Sequence, residues 1–250
     1  MSVLQRKVAL VTGSGTGIGR ACALRFAELG YDVVVNYSRS EAEALETLKG
    51  VEAAGAKGLL LQCNIGDDAA VRKMMAIIEE KLGGLEVLVN NAAMTHFIQH
   101  ADLEAMSEEK WDQILQVNLK GTFFCMRAAV PLLKKRPGAN IVSVSSVAGI
   151  TGDGSCLAYA ASKGAVNTLT KALARALAPE LRVNAVCPGP VDSRWLRAVM
   201  TEERLYERTA SYPLQRPAKP EDIADAVIYL ATGTTLTTGQ CLVVDGGRTM

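Results

Sequence analysis

Val8-Ala9-Leu10-Val11-Thr12-Gly13-Ser14-Gly15-Thr16-Gly17-Ile18-Gly19-Arg20 is the stretch that decides the fold. Val8 to Val11 form a short, continuous apolar run, which reads as a strand covered on both faces. The glycines that follow mark a turn, and Ile18 opens an amphipathic helix. The spacing is G-x-x-x-G-x-G. A tight turn needs a residue free to take positive φ. The backbone must also come close to a pyrophosphate, at which a helix N-terminus points its N–H groups. Lying between a buried strand and a helix, the run predicts a dinucleotide-binding turn over Gly13, Ser14, Thr16, Gly17, Ile18 and Gly19.

The same alternation continues outward. Strands are expected over 7–12, 32–36, 57–62, 85–90, 140–145, 182–187 and 240–244, and helices over 17–29, 40–54, 67–82, 107–134, 155–177 and 220–231. Most strand candidates are nearly continuous apolar runs, so helices should cover both faces of a parallel sheet. This predicts one α/β domain spanning 1–250, a doubly wound seven-stranded sheet. Residues 189–219 break the rhythm with Pro190, Trp195, Pro213 and Pro217. They leave the carboxyl end of the sixth strand, where such sheets bind ligands, so they read as a substrate lid.

Composition excludes several classes. Of 250 residues, 27 are basic and 26 acidic, giving a net charge of +1, and 49% are apolar. Such balance gives no general attraction to nucleic acid or membrane. The apolar run 8–11 is too short for a signal peptide, and no stretch reaches the length of a membrane span. The six cysteines show no C-x-x-C pair and no zinc-site spacing, and read as buried, reduced thiols of a cytoplasmic protein.

Two further sites carry chemistry. After the second strand comes Val35-Asn36-Tyr37-Ser38-Arg39-Ser40, with no carboxylate before Glu41. An acidic residue there would hold a ribose 2′-hydroxyl. Tyr37, Ser38 and Arg39 instead favour NADP over NAD, because a guanidinium matches a 2′-phosphate. Further on, Tyr159 and Lys163 sit one turn apart on a helix face. A free phenol is a poor proton shuttle at neutral pH, with a pKa of ~10. A nearby cation should lower it, fitting Tyr159 to pass a proton to a carbonyl oxygen as hydride arrives at carbon. Upstream, Ser146 or Ser145 closes the fifth strand and could steady that oxygen.

Together these residues resemble the short-chain dehydrogenase/reductase family over essentially the whole chain. The matching pieces are Thr12-Gly13-x-x-x-Gly17-Ile18-Gly19, Asn90-Asn91-Ala92, Asn118 in Val117-Asn118-Leu119, Ser146, Tyr159 with Lys163, Pro188-Gly189, and Asp245-Gly246-Gly247. They stand in family order and spacing, most like the 3-oxoacyl-carrier-protein reductase and ketoreductase branch. The resemblance implies a Rossmann fold without metal, and a homotetramer joined through helices 107–134 and 155–177 and through the C-terminal strand. It implies that Tyr159 is general acid in reduction and that Lys163 tunes it and binds the nicotinamide ribose. Ser146 would hold the substrate oxygen, and Asn118 would anchor a water feeding protons to Lys163. Asn64, Ile65, Asn91, Ala92 and Ala93 would line the adenosine side, and Pro188, Gly189, Val191 and Ser193 the nicotinamide. Ala93, Asn64-Ile65 and Ser193 depart from the usual glycine, Asp-Val and threonine.

The substrate end is less defined. Met94 and His96 follow the Asn-Asn-Ala turn and are expected at the substrate mouth, with Trp195 on the inner face of the lid. His96 and His100 have no acidic or thiol partner placed for a metal. The expected reaction is hydride transfer between NADP(H) and a carbonyl or secondary alcohol, a 3-oxoacyl thioester or ketone before others. An acyl carrier protein or CoA thioester is a candidate partner, and Arg194, Arg197 and Arg204 are candidate contacts for an acidic carrier. The alternatives are an NAD-linked alcohol or sugar dehydrogenase and a non-catalytic NADPH-binding protein.

Overall fold

The computed structural model describes residues 6–250. Seven parallel strands run β1 (Val8–Val11), β2 (Asp32–Tyr37), β3 (Gly58–Gln62), β4 (Val87–Asn90), β5 (Asn140–Val144), β6 (Arg182–Pro188) and β7 (Cys241–Val244). Their spatial order is β3-β2-β1-β4-β5-β6-β7. The chain therefore winds outward from β1 to one edge, then crosses back to β4. That reversal opens a crevice beyond the carboxyl ends of β1 and β4, where ligands of such sheets sit.

Alternation along β1 explains the two-sided core. Ala9 and Val11 pack with Phe26, Val33, Val89 and Val142, under α1 (Gly17–Glu28), α2 (Glu41–Ala53) and α10 (Pro220–Ile228). Val8 and Leu10 face the other way, onto Met74, Ile78, Met126, Leu133 and Ile141, under α3 (Asp68–Leu82), α5 (Thr122–Leu133) and α7 (Leu157–Leu177). Each fully buried side chain of this size contributes roughly 1.5–3 kcal/mol of transfer free energy. Both faces are buried, so the strands are apolar runs rather than alternating patterns.

The long helix expected over 107–134 is interrupted. It comprises α4 (Glu108–Leu115), a wide π turn at Gln116–Gly121, and α5. Ser107 caps its start by accepting from the Lys110 N–H. The π turn brings Gly121 against Ile65, where an added Cβ would sit 2.9 Å from the Ile65 carbonyl oxygen. The helix expected over 155–177 begins at Leu157 and follows a separate turn, α6 (Ala148–Thr151), which ends at Gly152 with φ +75°. The helix expected to reach residue 231 ends in a second π turn, Tyr229–Gly233.

The excursion after β6 holds α8 (Arg194–Arg197) and α9 (Glu202–Thr209). Its ends are pinned together, since Val191 bridges Ala218 and Asp192 N–H donates to the Ala218 carbonyl at 2.8 Å. It forms a flap of two short helices on the carboxyl side of the sheet. No helix among the described residues is long and apolar enough to cross a membrane.

Candidate active site

A cleft of about 1230 Å³ runs along the carboxyl ends of the strands. One end lies at Ser38 and Arg39 after β2, the middle at the glycine turn, and the other end at Ser146, Tyr159, Lys163 and the flap. Gly13, Thr16, Gly17, Ile18, Tyr37, Asn64, Ile65, Asn91, Ala92, Ala93, Pro188, Gly189, Val191 and Ser193 line it as well.

Sequence dictates the shape of the turn. Gly13 has φ +62°, and a Cβ there would stand 2.9 Å from Ala92 Cα. At Gly19 a Cβ would meet the Gly13 carbonyl at 2.4 Å. The turn is thus seated on the chain leaving β4. Asn91 Nδ2 donates to the carbonyls of Thr12 and Gly13, and Thr12 Oγ1 accepts from the N–H groups of Asn91 and Ala92. Ser14 and Gly19 do not line the cleft. Ser14 is buried, and its hydroxyl accepts from Asn36 N–H at 3.0 Å. Their work is to hold the turn in place.

At the β2 end, the chemistry suits an anion. The Tyr37 hydroxyl donates to Glu41, the first carboxylate after the strand. Ser38 and Arg39 are exposed to the cleft, and Arg39 pairs with no carboxylate among the described residues. A turn that only glycine fits, followed by an uncommitted guanidinium one strand over, has the chemistry to hold the anionic groups of a nicotinamide dinucleotide.

At the other end, α7 presents Tyr159 and Lys163 on one face. The Lys163 Nζ lies 5.6 Å from the centre of the Tyr159 ring and donates to the Val144 carbonyl at 2.8 Å. The two serine candidates separate here. Ser145 is buried and donates to the Lys163 carbonyl at 3.1 Å, tying β5 to α7. Ser146 keeps part of its side chain open and hydrogen-bonds the Tyr159 hydroxyl.

Electrostatics depart from the expectation of a phenol lowered by lysine. Burial dominates and pushes the Tyr159 pKa up to about 12, with the Ser146 hydrogen bond opposing it. Burial equally disfavours the Lys163 ammonium and lowers its pKa to about 8. The site holds its proton on the phenol and poises the amine near neutrality.

Asn118 stands in the π turn and is buried. Its Oδ1 accepts from Met94 N–H at 2.8 Å; its Nδ2 donates to the Met94 carbonyl at 2.9 Å and to Ser162 Oγ at 3.1 Å. The side chain clamps the segment after β4 to α7, one residue from Lys163, and does not line the cleft. Asn118→Ala should leave those backbone groups unpaired, costing about 2 kcal/mol and lowering Tm by roughly 4–8 °C. Thermal unfolding checks this; an unchanged Tm would refute the clamp.

The flap end is apolar. Trp195 stacks edge-on to Tyr159, with ring centres 6.0 Å apart at 80°, and Leu196, Val199 and Met200 continue the wall. Met94 lines the cleft as expected, but His96 does not. Its ring turns to Gln113, 3.2 Å from Nε2. Phe97 and Ile98, the next two residues, take the wall instead. Sequence reading also missed Asp153, Leu205, Arg208 and Arg248 in the lining. Arg194 and Arg197 are already engaged, with Glu43 at 2.5 Å and with Asp192 at 2.6 Å. Among the described residues no three His, Cys, Asp or Glu side chains cluster to hold a metal ion. Asp245 is a brace, accepting from Gly247 N–H and from Thr249 N–H and Oγ1–H. The close approach of Gly189 beside it leaves no room for a Cβ.

A family model described as Enoyl-(Acyl carrier protein) reductase, one of the short-chain dehydrogenase/reductase group, matches residues 13–249. The chain belongs to the short-chain dehydrogenase/reductase family. It is 41% identical over 241 residues to the "Granaticin polyketide synthase putative ketoacyl reductase 2" of Streptomyces violaceoruber, covering 96% of this chain and 95% of that one. It is 39% identical over 247 residues to the 3-oxoacyl-(acyl-carrier-protein) reductase FabG of Staphylococcus aureus, covering 98% of each. A solved structure titled as a "putative short-chain dehydrogenase/reductase from Burkholderia xenovorans" superposes with a TM-score of 0.91 at 37% identity, covering 97% of both chains. As a member of this family the chain is an oxidoreductase built on a doubly wound sheet.

Proposed function

We propose that this short-chain dehydrogenase/reductase uses NADPH to reduce the ketone of 3-oxoacyl thioesters. The observation that carries the reading is a cleft joining Ser38 and Arg39 at one end to Ser146, Tyr159 and Lys163 under an apolar flap at the other. The nicotinamide cofactor supplies the hydride when bound. Ser38 and Arg39 hold its 2′-phosphate, the glycine turn its pyrophosphate, and Lys163 its ribose. Ser146 donates to the substrate carbonyl oxygen and orients it. Tyr159 then gives its proton to that oxygen as negative charge develops there, and the Lys163 ammonium stabilises the phenolate left behind. Trp195 and its neighbours exclude water from the transfer.

The similarity to a FabG reductase supports thioesters over simple ketones, delivered on an acyl carrier protein or as CoA thioesters. We also infer a cytoplasmic homotetramer. All six cysteines are unpaired, and apolar surface remains on α5 and α7, around Phe123, Val130 and Leu173, and at β7, where Leu242 and Val243 are exposed.

The functional test is kcat/KM for acetoacetyl thioester beside aryl and cyclic ketones. The thioester should lead; turnover of ketones alone would make the chain a general carbonyl reductase. Coenzyme choice has its own test. Arg39→Ala removes a charge-assisted contact worth roughly 1.5–3 kcal/mol. The NADPH-to-NADH preference in kcat/KM should fall by about 10- to 100-fold. An unchanged ratio would remove Arg39 from the cofactor site.

A further inference from the structure

Apart from Lys163 and from Arg194, which Glu43 holds, the charged side chains lining the substrate end of the cleft are Asp153, Arg208 and Arg248. Arg248 comes from the C-terminal turn and ion-pairs with Asp153 on the loop before α7, across 95 residues of sequence. The Asp245 brace and the packing of Gly247 under Pro213 fix that turn. Asp153 is therefore already neutralised, and it is the only carboxylate in the cleft lining among the described residues.

Arg208 is different. It projects from α9 beside buried Leu205, is exposed, and makes no ion pair or hydrogen bond among the described residues. Its helix offers no carboxylate within reach. The neighbours at i−4 and i−3 are Arg204 and Leu205, and at i+3 and i+4 Ser211 and Tyr212. Glu207 is adjacent in sequence but points to a different side of the helix. The other flap guanidiniums, Arg194 and Arg197, are held by Glu43 and by Asp192 with Glu202. An uncompensated cation beside an apolar wall attracts an anion and binds it with charge-assisted hydrogen bonds.

We propose that Arg208 holds an anionic group at the far end of the carbonyl substrate, a phosphate on a thioester's carrier arm or a free carboxylate. The inference rests on the reductase reading for where the carbonyl sits; the charge argument is separate from it. The apolar flap covers the chain between the reacting carbon and the anion, and Arg208 fixes its reach.

Binding is measured by titration calorimetry on the protein saturated with NADP, so the result does not depend on turnover. Two matched pairs are used. The acetoacetyl thioester of phosphopantetheine is set against that of pantetheine, and 5-oxohexanoate against its ethyl ester. The anionic member of at least one pair should bind at least tenfold tighter, and which pair responds identifies phosphate or carboxylate. Arg208→Gln should lower that member to the level of its neutral partner, and Arg208→Lys should recover part of the difference. Equal binding within both pairs, or a difference that survives in Arg208→Gln, overturns the proposal. An Arg208-dependent difference without reduction of any member would sustain Arg208 as the anion site and refute the reductase reading instead.

Discussion

Tyr159→Phe should lower kcat for carbonyl reduction by about 10³-fold, while NADPH binding and Tm stay near the wild-type values. The argument is local. Phenylalanine keeps the ring that stacks on Trp195, so packing at the flap survives. It removes only the hydroxyl that Ser146 contacts. Ser146 remains to orient the carbonyl oxygen, but a serine hydroxyl is too weak an acid to protonate it at neutral pH. Hydride arrival would then generate an alkoxide with no side-chain proton donor of suitable acidity beside it. A variant that retained a tenth of the wild-type rate would mean that another group or a water delivers the proton.

Lys163→Met is expected to cost about 10²–10³ in kcat while leaving the folded protein as stable as wild type or more so. The ammonium is almost fully buried, and among the described residues it hydrogen-bonds only the Val144 carbonyl. Its burial lowers the pKa from 10.5 to about 8. The folded value lies below the unfolded one, so between pH about 8 and 10 the unfolded chain binds more protons. Stability from this group therefore grows as pH rises through that window. Lys163→Met should lack that rise in a denaturant series. Activity moves the opposite way. Loss of the Lys163 proton withdraws the cation that stabilises the Tyr159 phenolate, so kcat/KM for reduction should fall above pH about 8. A flat profile through that range, or a Lys163→Met protein with full activity, would show the lysine to be packing alone.

Much of this was legible in the chain because the signals are local. Val8–Val11 is buried on both faces and so carries no polar residue, and the glycine turn must be glycine where it meets Ala92 and its own carbonyl. Tyr159 and Lys163 share a face by helical period alone. What the sequence hid was set by long-range packing. The π turn around Asn118 has no composition of its own; it follows from the clamp on Met94 and Ser162. Ser145 and Ser146 look alike until the chain leaving β5 aims the Ser145 hydroxyl at the Lys163 carbonyl and the Ser146 hydroxyl at Tyr159. His96 leaves the cleft wall because its ring meets Gln113 on α4, a contact that sequence alone does not show. The Arg248–Asp153 pair joins residues 95 positions apart. The direction of the Tyr159 pKa was also hidden, because its burial is set by packing that the Tyr-x-x-x-Lys spacing does not reveal.

The central claim is that this site moves hydride and a proton onto a 3-oxoacyl ketone. The direct measurement is to incubate the purified chain with NADPH and acetoacetyl thioester and to quantify coenzyme oxidised and 3-hydroxyacyl product by mass spectrometry. The account predicts one hydroxyacyl thioester formed per NADPH consumed, with both lost together in Tyr159→Phe. Tight NADPH binding with no hydroxyacyl product would contradict it.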